Sequence, residues 1–383
     1  MFVIKEGKPK YLQFLDYLRL QIDEGELKPG DRLPSQEFLF KKYGLAQSTI
    51  ERTHKLLEKD GYVERIERKG IFVIAPENRK SVAAGGLMNR SVLVLANGTA
   101  KRLAHHKQTG WSDYLTLGVI NEIRLHSHNV MALDPNNMNA SDIEYWMKHP
   151  PAGAILIGEP DTSSFMLETA HKLRSADVPV VLYGDEPELS DFDRVISDHE
   201  QGSYELTKWL LDRGCRRILR VREAGVASYW VQMRDRGYER ALAEAGVKIM
   251  PPCLHDPYCG DDDYEQFALH VETVAQSLSR YLANHQPMMD AIMVLTDGRV
   301  NVLAAACRSL GLAPNRDVIF AGYDHYWEDV EEREFDSTAP LATIDKHNVK
   351  IGASMVQLLE DRIAGHLEDA PQCRKVAPQL LAF

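Results

Sequence analysis

Hydrophobic positions change their period along this 383-residue chain, and the change divides it. Tyr11, Leu15, Leu18 and Ile22 recur every three to four residues and predict one face of an amphipathic helix. Gly25 and the pair Pro29-Gly30 end it. Pro34 sets the turn before a second helix, which Ser35 caps by accepting from its free N–H groups. Gly44 closes that helix, and a third runs from Gln47 to Lys59 and stops at Gly61. Two short β-like runs, Tyr62–Glu67 and Gly70–Ile74, then flank a basic tip, Arg68-Lys69-Gly70.

From residue 91 the pattern becomes apolar strands alternating with helices. Strands are predicted at Ser91–Ala96, Val130–Leu133, Ala154–Gly158, Val178–Tyr183, Arg217–Val221, Ala291–Leu295 and Val318–Gly322. Helices are predicted at Tyr114–Leu125, Phe165–Ser175, Gln201–Arg213, Trp230–Glu244, Tyr264–Asn284, Val300–Leu310 and Val349–Ala364. Such alternation implies parallel sheets with ligands at the carboxyl ends of the strands. There are too many units for one ordinary doubly wound sheet, so two sheets with a cleft between them are expected. Between the two regions, PENRKSVAAGGLMNR has no apolar period and reads as a linker over residues 76–90. A short helix there, ordered only on binding, is the other reading.

Two helices joined by a tight glycine turn and followed by a hairpin form the geometry that places one helix in a major groove and a wing beside it. The strings PGDRLPS, YGLAQSTIERTHKLLEKDGYVER and KGIFV resemble the GntR-type winged helix. The resemblance implies duplex DNA as partner and a contact set of Arg32, Ser35, Gln47, Ser48, Thr49, Arg52, Arg68, Lys69 and Gly70. Where that family usually has Ser-Arg, this chain has Ala46-Gln47; where it has Val-Arg, this chain has Ile50-Glu51. Gln47 favours adenine if it reaches a base edge, so the operator sequence does not carry over. A winged helix used only for protein contacts is the bland alternative.

The remainder, through VISDHEQGSYELTKWLLDRGCRRI, MRDRGYERALAEAG, AIMVLTDGRVNVLAAACRSLGL, VIFAGYDH and LATIDKHNVKIGASMVQLL, resembles the effector-binding domain of LacI-type repressors, related to periplasmic sugar-binding proteins. The combination resembles arabinose repressors of the AraR kind. The implied fold is α/β: an N-terminal winged helix-turn-helix over 1–75 and a two-lobed, periplasmic-binding-protein-like domain with parallel sheets over 91–383. The resemblance assigns ligand contacts to Arg234 and Asp297, with Asp324 shaping the cleft and Lys346 also placed at it. A guanidinium donates two hydrogen bonds to adjacent hydroxyls. The plainer alternatives are a surface salt bridge for Arg234 and an N-cap for Asp297. Trp111 and Trp230 are candidates to stack on a sugar face, or to be core or hinge residues.

Charge and cysteines refine this picture. The net charge of −11 looks wrong for a DNA-binding protein, but residues 1–80 carry 16 basic and 13 acidic side chains, a net +3, and the rest carries −14. Only the local field near the groove matters, because salt screens charge beyond about 8–10 Å. The five cysteines show no CxxC spacing and fit a reduced cytoplasmic chain; Cys253 and Cys259 would pair only in an oxidising compartment. His105-His106 and Asp261-Asp262-Asp263 lack a full ligand set, so no metal is expected. No phosphate loop, nucleophile elbow or HExxH is present, and no cofactor or catalysis is expected. The expectation is a sequence-specific transcription regulator, a repressor with activator, dual regulator or interaction scaffold as alternatives. It would be a cytoplasmic homodimer on operator DNA and the nucleoid, answering to a small carbohydrate and not to a membrane.

Overall fold

In the computed structural model the described residues are 10–66, 69–75, 88–97, 110–126, 128–158, 163–225, 228–256, 264–284 and 286–383. They form two compact units. One contains the N-terminal helices, runs to Val92, and includes Ile123–Asn129 and Lys148–Ala152; the other contains the rest. Arg68, Glu67, most of the expected linker, His105, His106, Cys259 and Asp261–Asp263 lie outside the described residues.

The N-terminal fold has α1 (Lys10–Asp23), α2 (Gln36–Tyr43), α3 (Gln47–Lys59) and a hairpin of β1 (Val63–Ile66) and β2 (Gly70–Val73). Leu15, Leu18 and Ile22 are buried as their spacing requires, and they close on Leu39, Ile50 and Leu57 from the next two helices. Tyr11 stays half-buried, under the Arg52 guanidinium, 3.9 Å from its ring centroid. Ser35 Oγ accepts from Phe38 N–H at 3.2 Å, which is the expected cap. Gly44 ends α2 at φ +66, where its N–H donates to Phe40 O. The segment before α2 adds to the hairpin: Leu33 N–H donates to Ile71 O and Val73 N–H to Asp31 O. DRL is therefore part of the wing as well as a lead-in to the helix.

The remaining elements are β3 (Ser91–Ala96), α4 (Trp111–Ile123), β4 (Asn129–Leu133), α5 (Ala140–Lys148), β5 (Gly153–Ile157), α6 (Ser163–Ser175), β6 (Val180–Tyr183), β7 (Asp193–Ser197), α7 (His199–Asp212), β8 (Ile218–Glu223), α8 (Tyr229–Glu244), β9 (Cys253–His255), α9 (Tyr264–Ser279), β10 (Leu282–Ala283), β11 (Gln286–Pro287), β12 (Ala291–Val294), α10 (Val300–Ser309), β13 (Ile319–Tyr323), β14 (Ala342–Asp345), α11 (Asn348–Ile363), β15 (Cys373–Val376) and β16 (Gln379–Ala382). Two six-stranded sheets result, ordered β4-β3-β5-β6-β7-β15 and β9-β8-β12-β13-β14-β16. The core pairs β5–β6–β7 and β8–β12–β13–β14 are parallel, and β16 is antiparallel on β14. The expected helix Tyr264–Asn284 stops at Ser279. Tyr281 N–H turns back to Leu278 O, and a small antiparallel ladder follows.

The chain passes between sheets three times: after β7 at Asp198, after β14 at Lys346-His347, and between β15 and β16. Each sheet is backed by a glycine-mediated helix crossing. A Cβ at Gly118 of α4 would lie 2.1 Å from Val349 O, and one at Gly352 of α11 would lie 2.1 Å from Leu115 O. In the second lobe a Cβ at Gly237 of α8 would lie 2.0 Å from Glu200 O of α7. These helices touch through backbone, so each lobe has little freedom to deform internally.

Gly237→Ala should therefore lower stability by roughly 1–3 kcal/mol, because overpacking forces a backbone shift. Gly110→Ala, where a Cβ meets nothing within 4 Å, should be near neutral. Chemical denaturation of both variants checks this; equal midpoints would show that α7 and α8 separate freely.

Candidate functional site

The recognition helix α3 exposes Gln47, Ser48, Glu51 and Lys55 on one side and buries Ile50, Thr53, His54 and Leu57 on the other. Ala46 gives the helix no side-chain cap, so its first N–H groups are left for an external acceptor. Thr49 is half-buried, and its carbonyl accepts from Thr53 Oγ1 at 2.9 Å. Arg52 is held on Tyr11, whose carbonyl accepts from Thr53 Oγ1 at 3.2 Å. At the wing, Lys69 is exposed and Gly70 has φ +122. A Cβ at Gly70 would sit 2.5 Å from Arg32 Nε, so the Arg32 guanidinium lies over the wing where only glycine leaves room. Arg32 and Lys69 thus share the wing, while Gln47 and Ser48 stand at the start of α3.

In the second unit a cavity of about 680 Å³ opens between the carboxyl ends of the two sheets. Its first-lobe wall is largely apolar, with Leu156, Met166, Leu182 and Leu189, and carries Trp111, Tyr183, Asp185 and Glu186. Its second-lobe wall is polar: His199, Arg222, Glu223, Trp230, Arg234, His255, Thr296, Arg299 and Asp324, with Lys346 from the second crossover.

The centre of the polar wall is Asp324, only 3% exposed. Its Oδ1 lies 2.9 Å from Lys346 Nζ and 3.3 Å from Arg234 Nη2. Burial alone would raise its pKa, but Lys346 and then Arg234 outweigh it and hold the carboxyl below its ordinary value. Arg234 also donates from Nη1 to Leu295 O and from Nε to His199 Nδ1 at 3.4 Å. Its guanidinium stacks 3.5 Å from the Tyr323 centroid and 4.6 Å from that of Trp230. Lys346 Nζ lies 4.5 Å from the Trp111 centroid and 5.8 Å from that of Tyr183. Burial first, then Arg234 and Lys346, push His199 well below its usual pKa, so it is neutral and accepts through Nδ1. Arg222 and Arg299 are paired, with Asp235 at 2.9 Å and Glu223 at 2.8 Å.

The salt bridge that Arg234 makes is therefore a buried one at the cavity, not the surface pair that was its plainer alternative. Trp111, Trp230, Arg234, Asp324 and Lys346 come together at this cavity. Asp297 does not join them. It is fully buried, and its carboxyl accepts from Thr343 Oγ1 at 2.9 Å and Tyr326 N–H at 3.2 Å. Burial first, then Asp324, raises its pKa well above the ordinary value. The chain turns into a 3₁₀ segment at Asp297, and its Oδ1 lies 1.8 Å from where a Cβ on Gly322 would stand. Its side chain is therefore a brace under β13 and β14. It does not cap the next helix either: Arg299 is the N-cap of α10, without a side-chain bond. Thr296 and Arg299 face the cavity in its place.

Sequence reading missed Tyr183, Asp185, Glu186, His199, Arg222, Glu223, His255 and Arg299. The signal for Asp185 and Glu186 was present: they stand one glycine beyond the carboxyl end of a predicted apolar strand. His199 needed the unpredicted strand β7, whose alternation is interrupted by Asp193 and Arg194.

A winged helix and a two-lobed α/β domain with a polar interlobe cavity define the class: a DNA-binding domain joined to a small-molecule-binding domain. Residues 10–73 match the gntR family of bacterial regulatory proteins, and residues 207–382 match the periplasmic binding protein-like domain. The chain is a gntR-family winged helix followed by a periplasmic-binding-protein-like domain. It is similar to the arabinose metabolism transcriptional repressor of Geobacillus stearothermophilus, 21% identical over 378 residues and 94% of each chain. It is also similar to the HTH-type transcriptional repressor PurR of Vibrio vulnificus, 26% identical over 190 residues, which are 50% of this chain. The match spans about half the length of that PurR relative, 52%. A solved transcriptional regulator CelR–cellobiose complex superposes with a TM-score of 0.58 at 19% identity, covering 90% of this chain and 92% of that one; it shows the fold.

Asp185 gives a pH test. Burial first, then Glu186, pushes its pKa up to about 6 from 3.8. The folded protein thus holds a proton that the unfolded chain releases between pH 4 and 6, so ionised Asp185 destabilises the fold above pH 6 and not below pH 4. Without ligand, Asp185→Asn should raise Tm at pH 7 and leave it unchanged at pH 4. Equal shifts at both pH values in thermal melts would contradict the assignment.

Proposed function

We propose that this protein is a sequence-specific DNA-binding transcription regulator, a repressor, whose operator affinity is set by a small sugar-like ligand in the interlobe cavity. The observation that carries this is the Arg234–Asp324–Lys346 cluster. It places hydrogen-bonding groups, flanked by Trp111 and Trp230, at the crossover where the lobes join. A sugar presents hydroxyls to the charged groups and apolar C–H faces to the rings. In support, the relatives named above are transcriptional repressors, and the similar CelR structure holds cellobiose.

The mechanism follows from geometry. A ligand held by both walls favours the arrangement of lobes in which both reach it, and shifts the population by its differential affinity. Three chain passages confine the motion to Asp198, Lys346-His347 and the β15–β16 link. His347 adopts a left-handed backbone (φ +58) there, held by its N–H on Asp345 Oδ1. The protein acts in the cytoplasm as a homodimer, because two winged helices read the halves of a near-palindrome. Residues 1–75 form the DNA-binding domain, 76–90 the linker and 91–383 the effector-binding and dimerisation domain. Gln47, Ser48, Thr49, Arg52, Arg32, Ser35, Arg68, Lys69 and Gly70 make the DNA contacts, and Arg234, Asp324, Lys346, Trp111 and Trp230 hold the ligand. No catalytic step is assigned to any of these groups.

Lys69→Ala should weaken binding to all duplexes and lower the salt slope by about one unit, since one phosphate contact is lost. Gel-shift titration across a salt series reads it; an unchanged slope would take the wing off the phosphates. A thermal-shift screen of mono- and disaccharides should find a ligand that stabilises the full chain by mass action. Arg234→Ala should abolish that shift and make operator occupancy insensitive to the ligand. A shift of wild-type size in the variant would remove Arg234 from the site.

A further inference from the structure

We infer that the ligand of this cavity carries a positive charge: an amine-bearing sugar or sugar-like polyol whose ammonium docks against Asp185 and Glu186. This rests on the sugar reading above and adds the charge of the ligand. The argument is one of charge distribution. Every cation lining the cavity from the second lobe has an acidic partner from the protein: Arg234 and Lys346 on Asp324, Arg222 on Asp235, Arg299 on Glu223. The first-lobe wall contributes Asp185, Glu186 and Glu188 and, among its described lining residues, no base. Asp185 and Glu186 are half-buried; burial keeps both carboxyls above their ordinary pKa, outweighing the backbone N–H groups of the same turn and the charge of nearby Arg194, which act on both.

Their placement is built into the backbone. Gly184 has φ +142, and a Cβ there would stand 2.5 Å from Glu186 Oε2. The glycine lets the Glu186 carboxylate fold back beside the strand end that also carries Tyr183. Neutral hydroxyls donate hydrogen bonds to such carboxylates but bring no counter-charge to a half-buried, partly apolar site, where burial works against the charged form. An ammonium compensates it. The same cavity already shows how it holds one: the Lys346 ammonium rests on Asp324 with the rings of Trp111 and Tyr183 beside it. The acidic pair follows Tyr183 after the single residue Gly184, so a ligand stacked near these rings has carboxylates within reach of an amino substituent.

The test is calorimetry on the full chain with three matched pairs: glucosamine and glucose, galactosamine and galactose, mannosamine and mannose. At pH 7 at least one amino sugar should bind about tenfold or more tightly than its neutral parent. That preference should shrink as the pH falls below 6 and Asp185 takes up a proton. Asp185→Asn with Glu186→Gln should remove the preference while retaining the affinity for the neutral sugar; thermal melts of the double variant confirm that it is folded. Equal affinity within every pair, or a preference that survives the double substitution, overturns the inference and leaves the sugar reading standing. No saturable binding of either member of any pair overturns both.

Discussion

One carboxylate organises the effector domain. Asp324 sits in a left-handed backbone conformation (φ +89) at the end of β13, where its N–H donates to Ile344 O of the neighbouring strand. Its side chain takes Arg234 from α8 and Lys346 from the crossover, and its carbonyl accepts from Asn348 Nδ2 at the head of α11. Two cations share this one buried anion. Removing the carboxylate would strand both cations in low dielectric, a larger effect than losing either pair alone. Arg234, the two Trp rings and Lys346 derive their positions from this one group, directly or through each other.

The lobes around it are stiff for a separate reason. Glycines let α4 meet α11 and α7 meet α8 through backbone, so the helices cannot slide without breaking close contacts. Compliance is then left to the interlobe passages. There Asp198 caps α7 by accepting from Gln201 N–H at 3.0 Å and pairs with Lys375 of β15 at 2.9 Å. A bond from Tyr114 of α4 to Asp329 adds one link between lobes away from the cavity. Rigid bodies with a few polar links between them suit a two-state response better than a graded one.

The sequence disclosed this architecture unevenly. The N-terminal helices were legible because Leu15, Leu18, Ile22 and Ile50 keep helical spacing and because Ser35 and Gly44 mark the ends of α2 in chemically obvious ways. The central strands were legible as short continuous apolar runs, such as Ser91–Ala96 and Ala291–Val294. β7, β14, β15 and β16 were not: all four are short and sit toward the outer part of each sheet, and β7, β14 and β15 carry charges, yet they deliver the crossovers. For the site, the family resemblance pointed to Arg234, Asp324 and Lys346 and ring chemistry to Trp111 and Trp230, and all five line the cavity. Asp297 misled, because a carboxylate at a strand end reads the same whether it turns outward to ligand or inward to Thr343. Only the 3₁₀ turn, a tertiary feature, decides between them.

The two cavity walls also bear on coupling. The first lobe offers apolar surface and acids, the second offers cations, donors and most of the pairing that neutralises them. A ligand satisfied by one wall alone would bind without favouring closure, since only interactions that form as the lobes close can bias the equilibrium. A ligand with an apolar ring face, hydroxyls and a cationic substituent needs both walls at once. The division of chemistry between lobes therefore converts ligand identity into lobe geometry. It does so through the crossover that carries Lys346 and His347, the same place where Asp324 fixes the polar wall.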